Sequence, residues 1–306
     1  MRTIFNQTLL EIAEKRDNIA MVLADIGYGE IEGFAGAHPD RYFNVGVAEQ
    51  NMTGIACGMA LEGYTVVTYS IANFPTLRCL EQIRNDVCYH DADVKIVVIG
   101  GGVSYGALGV SHHSTEDIAI LRALPNMTVV VPCDCIEAAA AARAIFEMKG
   151  PVYYRCGYKN ETDIHPGKID FALGRAIEIE PGDEAAVLFC GPVGYNAAKA
   201  VRALNAEGHH IRLVSHHTVK PIDRASIIRA AKECGTIVTV EEHNLSGGFG
   251  SAVAEVLADE GCLNVKFKRI ALPDVNVSAV GGQEWLRAKY GMDEGGIRTS
   301  ILEALK

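Results

Sequence analysis

Basic charge is in deficit in this chain: 28 Lys and Arg stand against 38 Asp and Glu, a formal net charge of -10. The charges are mixed along the sequence rather than blocked, so no basic footprint for nucleic acid exists. The acidic balance equally gives no non-specific pull toward anionic lipid. No apolar run approaches the roughly 18 residues that span a bilayer. The opening residues, Met1-Arg2-Thr3-Ile4-Phe5, lead into an amphipathic pattern without a signal-peptide core. A soluble cytoplasmic protein is the expectation. Zinc spacing is missing too: of nine cysteines, Cys133 and Cys135 are the one close pair, and C-x-C offers no useful ligand geometry. Buried free thiols are expected instead. Phosphate loops fail in turn. There is no Walker sequence, and Gly27-Tyr-Gly29-Glu-Ile-Glu-Gly33 misses the dinucleotide fingerprint by one residue, with Glu30 and Glu32 placed to repel a pyrophosphate. Gly100-Gly-Gly102 follows a strand but opens no helix. Gly247-Gly-Phe-Gly250 does open one, where an anion cradle and close packing are both open readings. Neither tandem repeats nor low-complexity tracts occur.

What the chain does have is apolar mass: 306 residues, 49% hydrophobic and 22% charged, enough for about two domains. Apolar strands alternate with helices in the first half. Strands are predicted at 19–24, 65–69, 94–99, 127–131 and 152–155, and helices at 5–15, 49–61, 77–89, 116–124 and 135–148. Continuous apolar strands joined by helices indicate a parallel sheet covered on both faces, with ligands beyond the carboxyl ends of the strands. The stretch 159–168 is polar and holds Pro and Gly, marking a linker. A second alternating set follows, closing on a helical tail from 282 to 306. The expected fold class is α/β with two domains, each a mostly parallel sheet with helices on both faces: 1–160, a linker at 161–170, and 171–306.

One segment carries the chemistry, Asn44-Val-Gly-Val-Ala-Glu49-Gln-Asn-Met-Thr-Gly54-Ile-Ala-Cys-Gly58. It sets a single carboxylate at the head of a helix built from small and apolar residues. Gly54, Ala56, Gly58 and Ala60 leave slim faces against which another backbone can pack. An acid in so dry a setting is costly to ionise unless something is bound to it. A helix-capping acid is the bland alternative.

Three further blocks follow: Ala72-Asn-Phe74-Pro-Thr-Leu-Arg78-Cys-Leu-Glu81, then Gly109-Val-Ser-His112-His113-Ser-Thr-Glu116-Asp117, then Pro132-Cys-Asp134. With Glu49 and its helix, they resemble the pyrimidine-binding domain of thiamine-diphosphate enzymes of the transketolase group. Glu241-Glu-His243 before Gly247-Gly-Phe-Gly250 is similar to that group's C-terminal domain, so the resemblance covers nearly the whole chain. It implies that Glu49 bonds the N1′ nitrogen of the cofactor's aminopyrimidine and activates the cofactor through that proton relay. It implies that Phe74 stacks on the pyrimidine, although it stands one residue early with Pro75 in the usual slot, and that Asp25 lies near the cofactor. His112 is implied to reach substrate hydroxyls, with His113 pointing elsewhere, and Arg155 to bind the sugar phosphate. Three positions depart from the family pattern. Ala107 and Leu108 replace an acidic pair, and Gly100 replaces a histidine, which leaves the ordinary pentose-phosphate substrates open.

The family's magnesium motif, Gly-Asp-Gly with a later Asn, is absent; Gly182-Asp183-Glu184 comes nearest. The chain therefore resembles the C-terminal subunit of a split transketolase. Its partner is expected to be an N-terminal subunit that holds the diphosphate and Mg2+, in a heterotetramer docked on the slim helix faces. The implied reaction moves a two-carbon ketol unit from a ketose, expected as its phosphate, to an aldose. Alternatives are the β subunit of a 2-oxoacid dehydrogenase E1 component, a deoxyxylulose-phosphate synthase relative, and a non-catalytic regulatory subunit. The histidine pairs His112-His113, His209-His210 and His216-His217 lack metal-ligand spacing.

Overall fold

Runs such as Ile19-Ala-Met-Val-Leu23 are buried along their whole length, which requires helices over both faces of the sheet they join. The computed structural model describes residues 1–158 and 161–306. The first half contributes strands β1 (Ile19–Leu23), β2 (Tyr42–Asn44), β3 (Thr65–Ile71), β4 (Val94–Ile99), β5 (Thr128–Val130) and β6 (Val152–Cys156). From the second half come β7 (Ile177–Glu180), β8 (Ala185–Phe189), β9 (Ile211–Ser215), β10 (Thr218–Lys220), β11 (Thr236–Asn244) and β12 (Lys266–Leu272). Two sheets result, ordered β10-β5-β6-β4-β3-β1-β2 and β12-β11-β8-β9-β7. All pairings are parallel except β10 with β5 and β7 with β9. This is the α/β architecture, mostly parallel sheets flanked by helices, that the apolar runs predict.

The halves are not separate bodies. β10 belongs to the second half yet pairs with β5 in the first sheet. One apolar cluster continues from Val22 and Val66 through Val131 and Cys190 to Phe249 and Val253. The expected boundary at residue 160 lies outside the described residues.

The helix Glu49–Leu61 has the predicted bounds. The helix predicted over 77–89 is instead broken into Asn73–Thr76, Leu80–Gln82 and a π-helical turn at Ile83–Cys88. Cys79, at φ -107° and ψ 14°, interrupts it. The tail also divides, into Gln283–Lys289 and Glu294–Leu305, with Gly291 at φ +71° between them. At the Gly247 loop the anion is internal: both oxygens of the buried Glu241 accept from the N–H groups of Phe249 and Gly250, at 2.6 and 2.7 Å. All nine cysteines are free. Among the described residues no helix is long and apolar enough to cross a membrane.

Candidate functional site

The loops that leave the carboxyl ends of β1, β3 and β4 gather the candidate residues. Glu49 opens its helix behind an uncapped Ala48, in the first turn where the helix dipole favours negative charge. Only 3% of it is exposed. Its Oε2 accepts from Arg78 Nη1 at 2.6 Å, and the Arg78 guanidinium, itself half out in solvent, lies 5.2 Å over the Phe74 ring. Phe74 packs edge-on against His112 with centroids 5.3 Å apart. Asn73 Nδ2 donates to the Ser111 carbonyl at 2.6 Å, tying the two loops together. Pro75 is buried while Phe74 is half-exposed, so the aromatic that faces the site is Phe74 despite its displaced register.

From His112 the row continues. Tyr105 stands 6.3 Å from His112 and 4.5 Å from Tyr158. Arg2 lies over Tyr158 and pairs with Glu30 at 2.9 Å. Glu49, Arg78, Phe74, His112, Tyr105, Tyr158, Arg2 and Glu30 thus form one continuous track along the strand ends. Tyr105 also accounts for Gly100: at φ +75°, a Cβ on that residue would come 2.4 Å from the tyrosine ring, so a histidine and this ring placement exclude each other.

Asp25 sits on the exposed rim, at φ +55°. It accepts from Tyr28 Oη at 2.7 Å and Asn44 Nδ2 at 3.1 Å. These two hydrogen bonds hold its carboxyl below the usual carboxylate range. Through Asn44, whose Oδ1 accepts from Gly46 N–H at 3.0 Å, Asp25 adjoins the turn that leads into Glu49.

Arg155 departs from its expected role. It is 5% exposed, its Nε pairs with Asp117 at 3.1 Å, and its Nη2 donates to the carbonyls of Ser114 and Glu242 at 3.3 and 2.9 Å. A Cβ on Gly101 would fall 1.5 Å from its Nε. The hydrogen bonds of the guanidinium go to this chain's own groups, on the wall of a narrow cavity it shares with Gly101, Ser104 and Gly157.

The chemistry of the groups around Glu49 suits a flat nitrogen heterocycle. A buried acid is met by a half-exposed cation on a side chain able to swing into solvent, beside a half-exposed aromatic face. The outer side of the Glu49 helix is bare as well. Gln50, Gly54 and Gly58 are exposed, and a Cβ at either glycine would meet nothing within 4 Å.

The sequence reading missed Arg78, the tyrosines of the track, and one buried cluster. Ligand-type atoms of Cys133, Glu137 and His165 lie within 4.8 Å of one another. Glu137 is already satisfied there, accepting from Cys133 N–H and from His165 Nε2, both at 2.9 Å. We read this as an internal clamp holding the segment around His165 against the helix Cys135–Glu147. Burial alone would push the His165 imidazole down, but the Glu137 hydrogen bond and charge outweigh it and hold it above its usual 6.5. Burial likewise pushes Glu137 up, and the partnership with His165 outweighs that penalty and keeps it below its usual 4.5. The raised histidine stabilises fully below pH 6.5, and that contribution is lost as pH rises through its folded value; the lowered glutamate stabilises above pH 4.5. His165→Gln is therefore expected to cost about 1.5–3 kcal/mol between these limits and less as pH rises through the histidine's folded value, read as the difference in melting temperature across a pH series. A pH-independent difference would discard the ion pair.

Comparison with known proteins bears on the whole chain. The family described as "Transketolase, pyrimidine binding domain" matches residues 1–160, and "Transketolase, C-terminal domain" matches residues 174–297. An apulose-4-phosphate transketolase subunit from Phocaeicola vulgatus is 36% identical over 307 aligned positions, covering 100% of this chain and 97% of that protein. The 6-deoxy-6-sulfo-D-fructose transketolase subunit SqwH of Clostridium sp. (strain MSTE9) is 34% identical, over 95% of this chain and 90% of its own length. Among solved structures, a split gene transketolase in an inactive beta4 tetramer superposes with a TM-score of 0.89 at 33% identity, covering 99% of this chain and 97% of that one.

Proposed function

The chain belongs to the transketolase family, as a subunit of a split thiamine-diphosphate transketolase, and from that premise we propose how its residues serve the transfer of a two-carbon ketol unit from a ketose to an aldose. The observation that carries the reading is the buried Glu49 carboxylate beside the half-exposed Phe74 ring, closed by an arginine that can leave. When bound, the cofactor supplies the carbanion chemistry. Glu49 is placed to share a proton with the pyrimidine nitrogen once Arg78 has moved aside. Phe74 presents the face on which the ring stacks. His112, braced by Phe74 and by Ser111 Oγ at 3.0 Å from its Nδ1, reaches the substrate hydroxyls, and Asp25 fixes the turn ahead of Glu49.

A partner subunit supplies the diphosphate and Mg2+ site. Gly182-Asp183-Glu184, the nearest motif in this chain, lies in a surface bend of the second half, with Glu184 accepting from His210 N–H at 3.1 Å. The bare face at Gly54 and Gly58 is where that partner docks, two copies of each chain forming a cytoplasmic heterotetramer. This chain alone is therefore expected to show no ketol transfer with thiamine diphosphate and Mg2+. Co-purified with the partner it should turn over ketose donors, followed by aldose consumption. Full activity of the isolated chain would refute the split site, and an inactive assembled complex would refute the transfer reading.

A further inference from the structure

The loop that carries His112 is thinly held by its own backbone. Gly109, at φ +77°, leads into the three-residue 3-10 turn Val110–His112, where His112 N–H donates to the Gly109 carbonyl at 3.0 Å. Continuing such a turn would bring the Ser114 N–H onto the Ser111 carbonyl. Ser114 is spent elsewhere, exchanging hydrogen bonds with Gly102 at 2.8 and 2.9 Å. The carbonyl of the exposed Ser111 is met instead by Asn73 Nδ2 at 2.6 Å.

The base of that contact is firm. Ala72 N–H donates to the Ile99 carbonyl at 3.1 Å, tying the head of the short helix Asn73–Thr76 to the end of β4. The buried Thr76 hydroxyl donates back to the Ala72 carbonyl at 2.6 Å. Pro75, which has no N–H to satisfy, suits the first turn of such a helix. Asn73 and Phe74 therefore reach the His112 loop from consecutive residues. The amide grips the carbonyl just ahead of the histidine, and the ring packs against its imidazole at 5.3 Å. Ser111 Oγ lies 3.0 Å from Nδ1, so these contacts leave Nε2 for a ligand.

Resting on the transfer reading above, we propose that Asn73 is a positioning residue for His112. Its amide fixes the Ser111 carbonyl and with it the turn. The helix that bears the stacking ring thereby also sets how far the histidine reaches toward the substrate hydroxyls. A neutral amide suits the task, because it donates to the carbonyl without adding charge beside the Glu49–Arg78 pair.

The test uses the co-purified two-subunit enzyme with thiamine diphosphate, Mg2+, an aldose, and whichever of D-xylulose, D-fructose and their phosphates it turns over fastest. Asn73→Ala is expected to raise the donor KM about tenfold, the scale of a lost hydrogen bond and a displaced binding group, with kcat nearly unchanged. Asn73→Gln, which keeps the amide donor, should recover most of that loss. In a His112→Ala background Asn73→Ala should add little, because the group it positions is gone. Calorimetric affinity for thiamine diphosphate and the melting temperature should stay near those of the parent. An unchanged KM in Asn73→Ala, or a loss of full size on top of His112→Ala, overturns the role. So does a fall in thiamine diphosphate affinity as large as the rise in KM, which would tie Asn73 to the cofactor instead. If the unaltered complex turns over no donor, the transfer reading fails, and magnetic resonance of the full chain with nitrogen-labelled histidine rings decides the contact. The ring signals that vanish in His112→Ala should then shift in Asn73→Ala and return in Asn73→Gln. Signals that stay in place overturn it.

Discussion

Replacing Glu49 by glutamine is expected to lower turnover of the assembled enzyme by about 10²–10⁴-fold, the usual worth of a positioned proton-transfer group, while the fold survives. The amide has the carboxylate's shape, and its oxygen can still accept from Arg78, which now donates at 2.6 Å. What it cannot do is hold a proton and return it. The charge lost from the helix's first turn costs about 0.3–1 kcal/mol of dipole interaction, too little to unfold a chain with so continuous a core. Three measurements separate the roles: kcat of the co-purified complex, its melting temperature, and calorimetric binding of thiamine diphosphate. A large fall in kcat with a small change in melting temperature is the expected pattern. Undiminished kcat would end the assignment of Glu49 to the cofactor.

Glu49 was legible because everything that defines it is local: the helix bounds, the small side chains behind it and the turn ahead lie within about twenty consecutive residues. Strands buried on both faces announced themselves the same way, as unbroken apolar runs such as 19–23 and 185–189. Elements of mixed polarity did not. Ile177-Glu-Ile-Glu180 alternates as an edge strand should, yet four residues beside a linker read as loop. Thr218-Val-Lys220 crosses to the other sheet, which no local pattern can express. Arg78 is 29 residues from Glu49 and His165 is 28 from Glu137, and a lone arginine or histidine carries no periodic mark of its partner. The tyrosines of the track come from separate loops, at Tyr105 and Tyr158. Only the parallel sheet, by aligning its strand ends, brings them together.

Replacement of Arg155, buried at a strand end among internal partners, gives the second large effect. Arg155→Met is expected to destabilise the protein by about 3–5 kcal/mol, the cost of breaking a buried ion pair from one side. Methionine fills much of the space but takes the cation away from Asp117, which is fully buried, and leaves it leaning on the Tyr153 hydroxyl at 2.5 Å. The carbonyls of Ser114 and Glu242 lose a donor at the same stroke. Because Glu242 lies in β11, and its carboxylate accepts from Val103 N–H at 2.8 Å and Arg287 Nε at 2.6 Å, the break reaches the seam between the two sheets. Adding Asp117→Asn should restore part of the loss by removing the stranded charge, a coupling that a double-mutant cycle in urea denaturation measures. An arginine that clamps substrate would behave in the opposite way. Stability would hold, the second substitution would rescue nothing, and the KM of an anionic donor alone would rise. Burial, three internal acceptors and the contact with Gly101 predict the first outcome, and with it a strand end whose cation holds the two halves together.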